Sequence, residues 1–360
     1  MMPSPRQAPS GMLLSVVAAI TAVAAFAFAP PALAQPADAS ALSRIEGPDR
    51  EKRLVEGARR EGEVSVYTSL VVEDMRALAA AFENKYGVKV KYWRSSSEKI
   101  LQRAVTEVRA NRFEFDVIET NGPELEALRR EEILAAATSP HNADLLPAAI
   151  NPHQQWTGLR LNMFVQAYNT NLVKKADLPV TYRDLLDPKW KGKLAIEAED
   201  ADWFAAVVRD MGENEGLKLW RDIVAANGIA VRKGHTLLAG LVASGEVPLA
   251  LTLYFHNAER LKQKGAPIDL FVIQPAYARV NGIAIGRKVP HPHAAVLFFD
   301  FMLSPEGQTI LQSGNYVPTN LKLNNPATRA GLKFIDPAIV LDGAARWEKH
   351  FNEIITRQSR

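Results

Sequence analysis

The sequence predicts an α/β protein of two lobes, each a mixed sheet flanked by helices, joined by two hinge crossings. Three observations predict it. Short apolar runs alternate with helical stripes from Glu63 onward, the pattern of βαβ units. The pattern occurs in two sets, with one long extended stretch between them and another after the second. A chain of 360 residues with 47% hydrophobic content is also large enough to bury two lobes rather than one.

The chain opens with Arg6, the apolar run "LLSVVAAITAVAAFAFA" and the small-residue site "ALA" at Ala32 to Ala34. This predicts a signal peptide over 1–34, cleaved near Ala34–Gln35, because the run is short for a membrane span and ends at Pro30-Pro31. Residues 35–61 read as a leader and first helix, with Pro36 to about Asp49 flexible.

The first lobe is expected from 62–164 plus 272–360. "EVSVYTS" reads as a strand, and Met75, Leu78, Ala79, Phe82 and Tyr86 form a helical stripe that Gly87 stops. "VKVKYWR", a helix striped by Ile100, Leu101, Ala104, Val105 and Val108, and "FEFDVIE" complete a βαβαβ set. The second lobe, 165–271, repeats the idea. "KGKLAIEAEDADWFAAVVRDMG" is a strand, a turn and a helix; "GHTLLAGLVASGE" is a short helix with Thr236 as N-cap; "LALTLYFHN" and "PIDLFVI" are strands. "WTGLRLNMFVQAYNTNLV" and "PAYARVNGIAIG" are the crossings, and two helices broken at Ser304-Pro305 follow. A last helical piece is expected around Gly343 to Ile355.

Composition narrows the function. The net charge of +3 carries no basic block, so nucleic acid is not an expected partner. Zero cysteines exclude disulfides, thiolate metal sites and thiol catalysis. No G-x-S-x-G, H-E-x-x-H, G-x-G-x-x-G or P-loop signature occurs, and no catalytic residue is assigned.

In open α/β sheets ligands sit beyond the carboxyl ends of the strands. Those ends carry Tyr67 and Ser69; Ser95 and Ser96; Glu119 and Asn121; Glu199, Asp200 and Trp203; and Tyr254, His256 and Asn257. His235 joins them at a helix start. The serines suit either helix capping or anion binding at free N–H groups, and Glu199 and Asp200 favour a helix N-terminus whatever the ligand. Trp203 also fits a core stripe. Tyr254 and His256, two apart on a strand, are expected to face one side together, with Phe255 on the other. His291 and His293 read as a solvated helix start. Arg94, Arg232 and Arg279 are available as partners for carboxylate or phosphate.

"GEVSVYTS", "FENKYGVKV", "FDVIETNGPELEAL", "FVQAYNTNLV", "YRDLLDPKWKGKLAIE" and "VPTN", together with the export signal, resemble the periplasmic solute-binding proteins of ABC importers. The resemblance spans about Gly62 to Pro318 and is to the ferric-iron-binding group, with the type II two-lobed fold. It implies a periplasmic, monomeric, non-catalytic protein that passes a small-molecule or metal ligand to a membrane permease. No cofactor is implied beyond Fe(III) as a transported ligand. Iron binders of this group carry adjacent tyrosines where this chain has Tyr254-Phe255, and Phe255 has no oxygen for a metal. Tyr67 and Glu119 are inexact matches to the group's first-strand and acidic positions. The expected ligand is therefore a small organic anion or zwitterion, such as a phosphonate, a phosphorylated compound or a carboxylate. The alternatives are ferric iron or a ferric chelate, held by Tyr254, His256 and Glu199, and, in another class, a periplasmic enzyme on the same fold.

Overall fold

The computed structural model describes residues 39–323 and 331–356; the expected signal peptide lies outside them. In chain order the elements are α1 (Ser40–Ser43), α2 (Arg50–Glu61), β1 (Glu63–Thr68), α3 (Val72–Tyr86), β2 (Lys89–Arg94), α4 (Ser97–Arg109), β3 (Val117–Asn121), α5 (Gly122–Arg130) and β4 (Thr157–Asn169). They continue with β5 (Leu194–Glu197), α6 (Ala201–Asp210), α7 (Glu213–Asn227), β6 (Ala230–Arg232), α8 (His235–Ser244), β7 (Leu249–Tyr254), α9 (Phe255–Gln263) and β8 (Ile268–Phe271). The chain ends with β9 (Tyr277–Ile285), α10 (Pro292–Leu303), α11 (Pro305–Ser313), β10 (Val317–Pro318), β11 (Lys333–Ile335) and α12 (Pro337–Phe351).

The strand order β2-β1-β3-β9-β4-β7-β5-β6 has parallel pairs at each end and antiparallel pairs in the middle. That is the expected mixed α/β fold of two lobes. Parallel neighbours need helical crossovers, and α3 and α4 supply them in the first lobe, as α6, α7 and α8 do in the second. Strand β4 belongs to both sheets. Its residues Thr157 to Met163 pair with β9, and Phe164 to Asn169 pair with β7 and β8. All thirteen of its residues are buried, the polar Arg160, Asn162, Gln166 and Asn169 included. Gly87 closes α3 in the left-handed region at φ 74°, as its place after Tyr86 predicted.

Several expectations change. The leader is docked from Ala39 onward: Ala39 and Ser43 are buried, and Arg50 donates to the Ser43 carbonyl at 2.6 Å and to Asp300 at 3.0 Å. Helix α7, which the sequence reading did not single out, packs Trp220 against Phe204 and Trp203. Helix α8 begins at His235 with Gly234 at its N-cap, two residues before the expected Thr236. The final helix runs from Pro337, because Asp336 accepts from the backbone N–H groups of Ala338 and Ile339 and so caps it. Sequence order grouped it with the first lobe. Its Trp347 and Phe351 instead join the aromatic cluster of Trp190, Trp203, Phe204 and Trp220.

His291 and His293 are not a solvated pair. His291 binds Asp116 through Nδ1 at 2.8 Å, and His293 binds Glu61 at 2.6 Å. They tie the start of α10 to β1, α2 and the β3 entry. The Asp116 carboxylate raises the His291 pKa, while burial raises that of Asp116.

Candidate functional site

The first-lobe rim is built around Glu119, which is fully buried. Its Oε2 accepts from Thr68 Oγ1 at 2.7 Å and from the Ser69 and Leu70 backbone N–H groups, both at 3.1 Å. Its Oε1 accepts from Arg160 at 3.1 Å. Each oxygen is satisfied, so Glu119 shapes the turn after β1 rather than awaiting a ligand. Asn121 is engaged as well: its Oδ1 accepts from Asn162 at 3.1 Å and Asn281 at 2.9 Å.

Other expected residues on this side leave the cleft. The Tyr67 hydroxyl donates to Glu107 on α4 at 2.8 Å, and its ring packs on Trp93 and Phe115. Strand alternation explains this, since Thr68 points to the Glu119 side and Tyr67 to the other. Ser96 caps α4, accepting from the Lys99 N–H at 3.4 Å, and the Ser95 N–H bonds the Thr68 carbonyl at 3.1 Å. Glu98, in the first turn of α4, accepts from Gln102 Nε2 at 3.1 Å. Ser69 remains partly open beside Glu119.

The second-lobe rim differs. Asp200, His235, Tyr254 and His256 come together there. The His235 and Tyr254 rings lie 3.7 Å apart between centroids, tilted by 31°, and Tyr254 and His256 stack at 5.7 Å. His235 Nε2 is 3.3 Å from Asp200 Oδ1. The expected reason for the Tyr254–His256 pairing was wrong. The strand ends at Tyr254 and α9 starts at Phe255, so helix geometry rather than strand alternation places His256. Asn257 donates to Thr236 at 3.3 Å while its Oδ1 has no partner among the described residues. Glu199, expected as a metal ligand with Tyr254 and His256, is exposed and paired with Lys233 at 2.7 Å. Trp203, an expected contact residue, is 1% exposed and sits edge-on against Tyr182 and Trp220 in the core.

Charges on this rim are unevenly matched. Arg279 donates to Asp202 at 2.7 Å and to the Tyr254 hydroxyl. Neither oxygen of Asp200 accepts a hydrogen bond among the described residues, although only 1% of the residue is exposed. Burial drives the His256 pKa well below its ordinary value, and Arg160 and Arg260 add to the shift, so its imidazole is neutral near pH 7. A neutral imidazole has a lone pair free for a metal.

The two rims meet at α9. Arg260 pairs with Asp74 on α3 at 2.6 Å and donates through Nε to the Gly314 carbonyl at 2.8 Å. The His256 ring rests 4.4 Å from that of Tyr316. To the other side of Arg279 lies a cavity of about 600 Å³ between α5 and α6, roofed by β11 and α12, into which Glu124, Glu199 and Asp202 face. Arg160, Asn162, Arg260 and Tyr316 were missed from sequence. For the first two a signal existed: Arg160 and Asn162 interrupt "LRLNM" at alternate positions, which puts both on one face of an otherwise apolar strand. For Arg260 and Tyr316 no local signal exists, because their contacts bridge distant segments.

Two α/β lobes whose sheets share the long strand β4, with polar strand ends converging between them, define the type II periplasmic binding protein fold. Residues 77–332 match the family described as bacterial extracellular solute-binding protein, and the chain belongs to that family. It is 25% identical over 274 residues, 71% of this chain and 74% of the other, to iron uptake protein A1 of Synechocystis sp.. Iron-bound HitA from Pseudomonas aeruginosa superposes with a TM-score of 0.71 at 24% identity, covering 80% of this chain and 98% of that one. AfuA from Actinobacillus pleuropneumoniae, solved with fructose-6-phosphate, does so with a TM-score of 0.72 at 22% identity, covering 82% and 99%.

Proposed function

We propose that this protein is the periplasmic solute-binding component of an ABC importer whose cargo is ferric iron or a ferric chelate. In this reading residues 1–34 direct export, and the ligand is taken between the lobes and passed to a membrane permease. Tyr254 supplies a phenolate, and the imidazole of His235 and the neutral imidazole of His256 stand beside it. The observation that carries the reading is this cluster of one phenol and two imidazoles on the second-lobe rim, with Arg279 at the phenol oxygen. Relatives named for iron support the same choice. An organic anion, the first expectation, finds the candidate arginines engaged. Arg279 is matched by Asp202, Arg94 bonds the Leu70 carbonyl at 3.2 Å, and Arg232 sits 3.8 Å from Glu246.

Arg260 holds α9 against α3 at the edge of the cleft, and closure follows if iron prefers the closed state. The test is titration of metal-stripped protein with Fe(III) nitrilotriacetate. A visible phenolate-to-iron band and a raised unfolding midpoint are expected, and Tyr254→Phe removes the band. Stabilisation by fructose 6-phosphate with no response to Fe(III) would overturn the reading.

A further inference from the structure

We propose that Glu197, Asp200 and His235 form the carboxylate and imidazole half of the metal site, taking the place of the oxygen that Phe255 cannot supply. The inference rests on the reading of Tyr254 as a metal donor and names the rest of the coordination set.

One ligand atom from each of the three residues lies within 4.8 Å of the others. Their backbone comes from two adjacent turns, the one after β5 and the one before α8, and Glu197 fastens these together. Its Oε2 accepts from the Glu199 N–H at 2.6 Å and its Oε1 from the Gly234 N–H at 2.7 Å. Each oxygen keeps a second lone pair for a cation. Backbone donors on ligating carboxylates are the usual way a site holds its ligands in orientation.

Asp200 is the second, independent observation. It is buried, and neither oxygen has a hydrogen-bond donor among the described residues; the Nδ1 of His235 is likewise without a partner. A buried, unmatched carboxylate is costly to fold, and more so beside a second one. The neighbouring cations are committed elsewhere: Lys233 to Glu199, Arg232 toward Glu246, Arg279 to Asp202.

Charge balance points to the ion. Two carboxylates and the Tyr254 phenolate carry three negative charges, matching Fe(III), a hard cation that favours anionic oxygen. The imidazole of His235, 3.7 Å from the Tyr254 ring and 3.3 Å from Asp200, joins the two halves.

The experiment compares the metal-stripped full chain with Asp200→Asn, Glu197→Gln, Asp200→Glu and Tyr254→Phe, titrated with Fe(III) nitrilotriacetate and, separately, with Mn(II) and Zn(II). Near-UV circular dichroism reports folding. We expect Asp200→Asn to weaken Fe(III) binding by about 100-fold or more, since outer partners of ligands alone are worth 10–100-fold. The phenolate band should persist at saturating iron. Asp200→Glu should recover part of the affinity. Wild-type Fe(III) affinity in a folded Asp200→Asn or Glu197→Gln, with the band still lost in Tyr254→Phe, overturns this proposal and leaves the iron reading standing. Mn(II) or Zn(II) binding that requires Asp200, without any response to Fe(III), overturns the iron reading and keeps the site. Absence of any metal binding overturns both.

Discussion

Glu119 and Asp200 occupy matching places on opposite rims, and their surroundings could hardly differ more. Glu119 lies in β3 and is met by a threonine hydroxyl, two backbone N–H groups and Arg160. Asp200, just beyond β5, is as deeply buried and meets only His235, at 3.3 Å. A carboxylate held by four hydrogen-bond donors, one of them a counter-charge, is part of the scaffold. One with none is a site kept open at the cost of stability, which is how functional positions depart from the packing rules obeyed elsewhere. The comparison separates two acids that look alike in the sequence.

The largest effect should come from breaking the satisfied rim. Glu119→Ala leaves Arg160 buried without its counter-charge and should lower the unfolding free energy by about 3–5 kcal/mol, read by urea denaturation. Little loss of stability would dissolve the distinction between the two acids. Next is the latch between the rims. Arg260→Ala removes charged hydrogen bonds to Asp74 and Gly314, partly exposed and worth about 1.5–3 kcal/mol together. It should weaken ligand affinity and widen the particle in small-angle scattering; an unchanged scattering profile would show that α9 does not hold the rims closed.

Smaller and opposite in sign is the metal-free Asp200→Asn protein. Removing an unmatched buried charge should leave the unfolding free energy unchanged or raise it by about 1 kcal/mol, in contrast to Glu119→Ala. A marked fall in the unfolding midpoint would mean that Asp200 is structural after all. Smallest is a pH effect far from the cleft. The folded pKa of His291 is raised, first by its bond to Asp116, so its stabilisation is full below the ordinary value of about 6.5 and is lost as pH rises through the folded value. The midpoint gap between wild type and His291→Gln should therefore shrink from pH 5.5 to pH 9, and a constant gap would refute the charged pairing.

Much of this was legible beforehand for a local reason. Hydrophobic period identified β1, α3, β2, α4 and β3, and the polar strand ends marked where a ligand would lie. Reading failed where a residue's role depends on its partner. Tyr67 and Trp203 have the chemistry of contact residues, yet the first faces Glu107 and the second the Tyr182–Trp220 cluster. His291 and His293 looked solvated because Asp116 and Glu61, which bind them, lie 175 and 232 residues away in the chain.

The sequence by itself determined the α/β class, the two crossings and the turns that carry Asp200, His235 and Tyr254, because period, turn chemistry and chain order act over a few residues. Only the tertiary structure decided that Arg160 would neutralise Glu119, that Arg279 would reach both Asp202 and Tyr254, and that Asp200 would be left unmatched. Those outcomes depend on which side chains meet across the cleft, and charge compensation is a property of the meeting rather than of either residue.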